Sequence, residues 1–183
     1  MRTMIAAAAM AALLAGCSLP GAKNAPDARW YVLDAPAAVQ PSAARVEVVP
    51  AVLPGYLDRP QIVEREGGVS LRIHDFDRWG EELGSGFTRV LCAGLAKEGV
   101  SAAVLRQGVS APVRLKVEVR RFEGSVGGAA MLEADWEICT AGTCGRRGTF
   151  AADAPAGGSI ASMIEAESAL IAGFARDLAA RLR

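Results

Sequence analysis

Two periodicities divide the chain. Val113, Leu115, Val117 and Val119 alternate with Arg114, Lys116, Glu118 and Arg120. Further on, Ala130, Leu132, Ala134, Trp136 and Ile138 alternate with Glu133, Asp135 and Glu137. Each run predicts a β-strand with one dry and one wet face. Paired antiparallel, the two would set a mostly basic outer row beside an acidic one, adding roughly a few tenths of a kcal/mol per facing pair and fixing the register. The alternation fails at Arg120-Arg121-Phe122, which predicts a bulge or a strand end.

Elsewhere the spacing is three and four. Leu83, Phe87, Val90, Leu91 and Leu95 predict a helix that begins near Glu81 and stops at Gly99, where a left-handed residue after the last turn is expected. Gly84 and Gly86 weaken its first turns by roughly 1 kcal/mol each relative to Ala, which suits a place where something packs closely. A second helix follows Ser159, a candidate N-cap. It carries Ile160, Met163, Ile164, Leu170, Ile171, Phe174, Leu178 and Leu182 on one side, with Glu165, Ser168, Arg176, Asp177 and Arg181 on the other.

Shorter β-rich runs lie at 29–33, 46–49 and 145–152, and 61–66 with 69–73 reads as a hairpin turning at Gly67-Gly68. Residues 50–60, with three prolines, read as an ordered loop or edge. One-sided strands and two amphipathic helices predict an α+β domain: two layers, a largely antiparallel sheet and two main helices packed on one of its faces.

The first residues obey neither rule. Met4 to Leu14 is an apolar run of about eleven residues after a single arginine, too short to span a bilayer and right for a secretory h-region. Leu14-Ala15-Gly16-Cys17 then forms a lipobox, in which small residues admit the chain to a peptidase and the thiol accepts lipid. The expected organisation is a lipoprotein signal peptide at 1–16, a lipidated N-terminus and flexible Pro/Gly-bearing linker at 17–28, and a periplasmic α+β domain at 29–183. Cys17 would carry covalent diacylglycerol and an N-acyl chain, holding the protein firmly to a membrane. Ser18 after the cysteine implies the periplasmic face of the outer membrane.

Composition adds mainly exclusions. Twenty basic residues balance twenty acidic ones, which points to neither nucleic acid nor an anionic membrane patch. Cys139 and Cys144 flank Thr-Ala-Gly-Thr and are expected to form a hairpin disulfide in an oxidising compartment; free thiols are the alternative. Cys92 lies within the helical apolar pattern and reads as a small buried hydrophobe. His74 is the only histidine, and neighbours Asp75 and Asp77 invite a metal or acid–base reading; adjacent strand residues, however, point to opposite faces. No nucleophile elbow, metalloprotease helix or phosphate loop accompanies it, so no enzyme, catalytic residue, metal or cofactor is expected.

What remains is aromatic, proline and charge in two segments, Leu53 to Pro60 and Asp75 to Trp79. Tyr56, Leu57, Arg59, Arg78 and Trp79 are the candidate partner-binding residues, since arginine and aromatics on a rigid loop suit a hot spot. The plainer reading is a structural corner, with Trp79 capping the core and the arginines paired to nearby aspartates.

Val46-Glu47-Val48-Val49-Pro50, Leu53-Pro54-Gly55-Tyr56-Leu57-Asp58-Arg59-Pro60-Gln61-Ile62-Val63 and Asp75-Phe76-Asp77-Arg78-Trp79-Gly80-Glu81-Glu82-Leu83 resemble the ABC-type transport auxiliary lipoproteins, the PqiC/YmbA family. The likeness extends to Trp30-Tyr31-Val32-Leu33-Asp34 and the strand with Trp136; it departs after Gly99 and at the Cys139/Cys144 pair. It implies a non-enzymatic subunit of an MCE-type system moving phospholipid between membranes and supporting envelope integrity. The implied partners are an MCE-domain protein, inner-membrane transporter subunits and further copies of the chain. A lipoprotein that regulates or builds the cell wall is the alternative.

Overall fold

A computed structural model describes residues 26–37, 45–104 and 111–183. The expected signal peptide at 1–16, Cys17 and most of the expected linker lie outside the described residues. The strands are β1 (Arg29–Tyr31), β2 (Val46–Val48), β3 (Gln61–Gly67), β4 (Ser70–Trp79), β5 (Ala102–Val104), β6 (Val113–Gly124), β7 (Ala129–Thr140) and β8 (Thr143–Pro155). The helices are α1 (Leu83–Lys97) and α2 (Ile160–Leu182), and a single 3-10 turn spans Gly55–Leu57.

All eight strands join one sheet. The long pairings β3–β4, β6–β7 and β7–β8 are antiparallel, as the alternation requires. Short parallel pairings attach β1 to β4, β2 to both β5 and β6, and β3 to β6. The antiparallel pairing is as expected; Lys116 faces Glu137, whereas Glu118 faces Asp135, a like-charge pair, across β6–β7. On the wet face, Lys116 pairs with Glu137 at 3.0 Å and Arg120 with Asp135 at 3.4 Å. The parity break at 120–122 is a bulge, with the register shifting between Val119 and Arg121, and β6 continues beyond it to Gly124.

The dry face carries both helices. Phe87 of α1 meets Phe122 of β6 edge-on at 5.3 Å, and Phe174 of α2 stacks on Phe150 of β8 at 4.8 Å. The helices touch where a Cβ on Gly94 would lie 2.6 Å from Ala175 Cβ, so only glycine permits that approach. Ser159 caps α2 by accepting from Ser162 N at 3.1 Å, within a capping box. At the end of α1 the Gly99 N–H donates to Ala96 O and the Val100 N–H to Leu95 O. Gly99, at φ +83°, supplies the left-handed residue this ending needs.

Three expectations change. Asp75–Trp79 is not a loop but the last part of β4, and β5 follows Gly99 where no strand was foreseen. Ser168, placed by periodicity on the wet side of α2, is buried: its hydroxyl donates to Ile164 O and accepts from Asp34 N.

Cys139 and Cys144 face each other across β7–β8 and are joined. The turn between the strands holds Ala141 at φ +51° and Gly142 at φ +82°, the signs that a two-residue hairpin turn demands. Replacing both cysteines by serine is expected to lower stability by about 2 kcal/mol, the chain-entropy value for so small a loop. Urea denaturation with and without reductant checks this: wild type in reductant should match the double variant.

Candidate functional site

The two distinctive segments meet. After the irregular stretch at 50–54, the 3-10 turn at 55–57 is closed by Leu57 N donating to Pro54 O at 2.9 Å and Asp58 N to Gly55 O at 3.2 Å. The returning chain is tied to the end of β4 by Trp79 N donating to Pro60 O at 2.7 Å. Between them lies a cleft of about 560 Å³, lined from one side by Leu53, Gly55 and Leu57 to Pro60, and from the other by Trp79 to Gly84.

Its walls are held by α1. Glu82 caps that helix, accepting from Gly84 N at 3.1 Å and Ser85 N at 3.0 Å. Thr88 Oγ1 accepts from Ala51 N at 2.9 Å and donates to Gly84 O at 2.7 Å, pinning the 50–53 segment to the helix. A Cβ on Gly84 would stand 3.2 Å from Ala51 O and 2.8 Å from Glu82 Oε1, which is why this weak helix former sits in the first turn. Glu81 receives Arg89, and the Arg89 guanidinium also donates to Leu33 O at 2.9 Å.

The five candidate partner-binding residues divide. Leu57 and Trp79 are buried, 3% and 7% exposed, so they form the floor of the cleft and the core beneath it rather than free contacts. Arg59 stands on the rim, its Nε donating to Tyr56 O at 3.0 Å. Arg78 points to the other side of β4, its guanidinium 6.0 Å from the centre of the Trp30 ring. Tyr56 reaches inward, and its hydroxyl donates to Glu123 Oε2 at 2.6 Å.

Glu123 is the residue that periodicity alone did not single out. Its side chain has no solvent exposure. It accepts from Tyr56, from Arg65 Nη2 at 2.9 Å and from Arg121 Nε at 2.7 Å. Burial by itself would raise its pKa, but hydrogen bonds from Tyr56, Arg121 and Arg65 outweigh it and hold the carboxyl below its ordinary range. Burial and the same carboxylate push the Tyr56 phenol up to about 12. The clue in sequence was the bulge, which puts Arg121 and Glu123 in one phase on the sheet's outer face. A smaller cluster repeats the scheme at β1: Asp77 accepts from Tyr31 at 2.9 Å and from Arg29 at 2.8 Å, and these bonds overcome its burial to keep its pKa low.

His74 is paired, its Nε2 lying 2.8 Å from Glu64 Oε2, while Glu64 Oε1 accepts from Val126 N at 2.8 Å. That carboxylate is occupied on both oxygens, and the pair fastens β3, β4 and the 125–128 turn together. Cys92 is free and buried, and burial pushes its thiol up to about 12. Cys139 and Cys144 lie beside Glu137, but each sulfur is bonded to the other. Among the described residues no helix is long and apolar enough to cross a membrane.

The sequence profile of the ABC-type transport auxiliary lipoprotein components matches residues 31–179. The chain belongs to that family. As a transport auxiliary lipoprotein component, it carries the two segments that line the cleft well inside the matched region. No curated protein matches it significantly. One solved structure, of an uncharacterized protein, aligns with a TM-score of 0.73 at 19% identity, covering 86% of this chain and 99% of its own. A Xanthomonas campestris protein of the family DUF330 aligns with a TM-score of 0.68 at 16% identity, over 85% of this chain and 94% of its own. At those identities the likeness establishes a shared fold.

Proposed function

We propose that this auxiliary component is a non-enzymatic subunit of an MCE-type system carrying phospholipid between the inner and outer membranes, fastened by lipid on Cys17 to the periplasmic face of the outer membrane. Its contribution to envelope integrity would be positional. The lipobox keeps the domain at the bilayer, and the cleft receives a segment of a partner, an MCE-domain protein joined to inner-membrane transporter subunits. Further copies of the chain fit the same scheme. The observation that carries this reading is the convergence of both family segments on one cleft, whose shape rests on buried bonds while Asp58, Arg59 and Pro60 stay accessible at its mouth. A rigid apolar floor under a polar rim is the anatomy of a protein-binding hot spot.

Affinity purification of the detergent-extracted chain tests it. An MCE-domain protein should accompany the wild type, and Arg59→Glu should reduce its recovery about tenfold or more while leaving thermal stability within about 0.5 kcal/mol. Recovery of a cell-wall synthase in place of an MCE protein would select the envelope-assembly alternative.

A further inference from the structure

We infer that the outer face of the β1–β4 edge, built from Trp30, Val32, Phe76 and Arg78, is a bilayer-contact surface that lays the domain against the membrane; the inference rests on the Cys17 tether. The parallel register Arg29↔Asp77, Trp30↔Arg78, Tyr31↔Trp79 puts alternate residues of the two strands on opposite faces. Tyr31, Asp77 and Trp79 turn inward. Trp30, Val32, Phe76 and Arg78 turn outward, and the three apolar ones are 61%, 57% and 41% exposed.

Exposure on that scale is not required by the fold, because the inward residues already close the core. The composition matches a lipid–water boundary. An indole and a phenyl ring suit the headgroup level, where one end of an aromatic is dry and the other wet. The Arg78 guanidinium lies over the indole, where it can meet a lipid phosphate while its methylenes stay on the apolar side. Arg78 Nε also donates to Asp75 O at 3.3 Å, and Arg29 is engaged with Asp77.

Position along the chain selects a bilayer over a soluble partner. About a dozen residues separate Cys17 from β1, at most about 40 Å of fully extended chain and about 20 Å on average for a flexible one. The patch therefore includes β1, the first element after the anchor among the described residues. A short leash gives it an effective concentration in the millimolar range at the bilayer, enough for a surface too small to bind membranes unaided. Gly80, which lines the partner cleft, would put a Cβ 3.2 Å from Val32 Cγ1, so the cleft opens directly beside this face.

Tryptophan emission tests the inference, because Trp79 and Trp136 are buried and Trp30 is the exposed indole of the three. The full mature chain is reconstituted in phosphatidylethanolamine–phosphatidylglycerol vesicles containing brominated acyl chains, beside Trp30→Phe. The difference between the two spectra is the Trp30 emission. It should shift to the blue and lose most of its intensity to bromolipid, and Arg78→Glu should largely restore it. Trp30 emission that ignores bromolipid and stays open to aqueous acrylamide would overturn the inference. Protection of Trp30 only after addition of a partner protein, without bromolipid quenching, would overturn it equally. Mass spectrometry of the same sample reports acylation on Cys17. An unacylated chain would defeat the tether reading alone, and coupling its free Cys17 thiol to a maleimide lipid in the same brominated vesicles would still decide the patch: Trp30-dependent quenching upholds it, and its absence removes it.

Discussion

Glu123→Leu is expected to lower stability by about 3 kcal/mol and to unfasten the cleft. The substitution leaves the guanidinium groups of Arg65 and Arg121 and the Tyr56 hydroxyl around an apolar side chain. Removing one partner from a buried ion cluster costs about 3–5 kcal/mol because the remaining charges lose their counter-charge. The lower end applies here, since Arg65 and Arg121 keep 21% and 32% exposure and can turn toward water. The functional consequence follows from Tyr56, which is the middle residue of the 3-10 turn and has Glu123 as its anchor. Without it the 55–57 turn loses its only side-chain attachment to β6 among the described bonds, and partner recovery should fall although the rim is unaltered. Tyr56→Phe isolates one bond of the cluster and should cost about 1.5–3 kcal/mol. Urea titration of both variants decides the matter; a Glu123→Leu protein as stable as wild type would show that the cluster contributes nothing. Acid should mimic the variant. The carboxyl's folded pKa lies below its unfolded one, so its contribution is complete above about pH 4.5 and disappears as pH falls through the lower folded value.

How far these features could be read from the chain depends on how local they are. The strands β6 and β7, their register and the bulge were legible because each rests on period-2 alternation within about ten residues. The 61–73 hairpin, whose turn falls one residue later than expected at Gly68-Val69, the Ser159 cap and the Gly99 ending were legible for the same reason, being signals confined to one turn. The cleft was half legible. Its two segments stood out by composition, but their meeting depends on Trp79 N reaching Pro60 O, a pairing that no periodicity encodes. Asp75-Phe76-Asp77 defeated the reading most clearly. Gln61 pairs with Arg78 while Ile62 pairs with His74, so β4 bulges by several residues there, and an aromatic–acidic stretch that looks like a loop is strand. β5 has three residues and is held in the sheet by its parallel pairing with β2, a contact that no local pattern announces.

That irregularity also settles where the exposed arginine and aromatics belong. With Trp79 turned into the core and Arg78 turned outward, the segment cannot act as one hot spot. It serves two surfaces instead: Trp79 floors the cleft, and Arg78 joins Trp30 on the opposite face. On the proposed reading, a membrane face and a partner cleft on adjoining sides of one sheet edge would need no moving parts to hold a conduit at a bilayer.

Glu167→Met should act in the opposite direction and raise stability. Glu167 lies on the buried side of α2, 2% exposed, one turn from Met163 and Ile171. Its Oε2 has no hydrogen-bond partner. Burial, reinforced by the Glu123 charge, pushes its pKa up to about 8, against an ordinary 4.5. The folded protein therefore holds a proton that the unfolded chain releases at about pH 4.5. Stability from this group is greatest below that pH and declines steadily until pH reaches about 8, at about 1.4 kcal/mol per pH unit. At pH 7 the accumulated loss is on the order of 3 kcal/mol, which for a domain of this size corresponds to about 6–12 °C in Tm. Methionine matches the unbranched shape, favours helix and carries no proton, so the gain should be large at pH 7–8 and small at pH 5. Combined with Glu123 and Asp77, whose contributions vanish in acid, the wild type should be most stable near pH 5 and lose stability on either side. Glu167→Gln separates the two causes, since it abolishes the titration but keeps a polar group buried: it should flatten the alkaline slope with a smaller gain than Met. Thermal melts at pH 5 and pH 8 read both. An equal gain from Met at the two pH values would mean that Glu167 is charged throughout or that its proton plays no part.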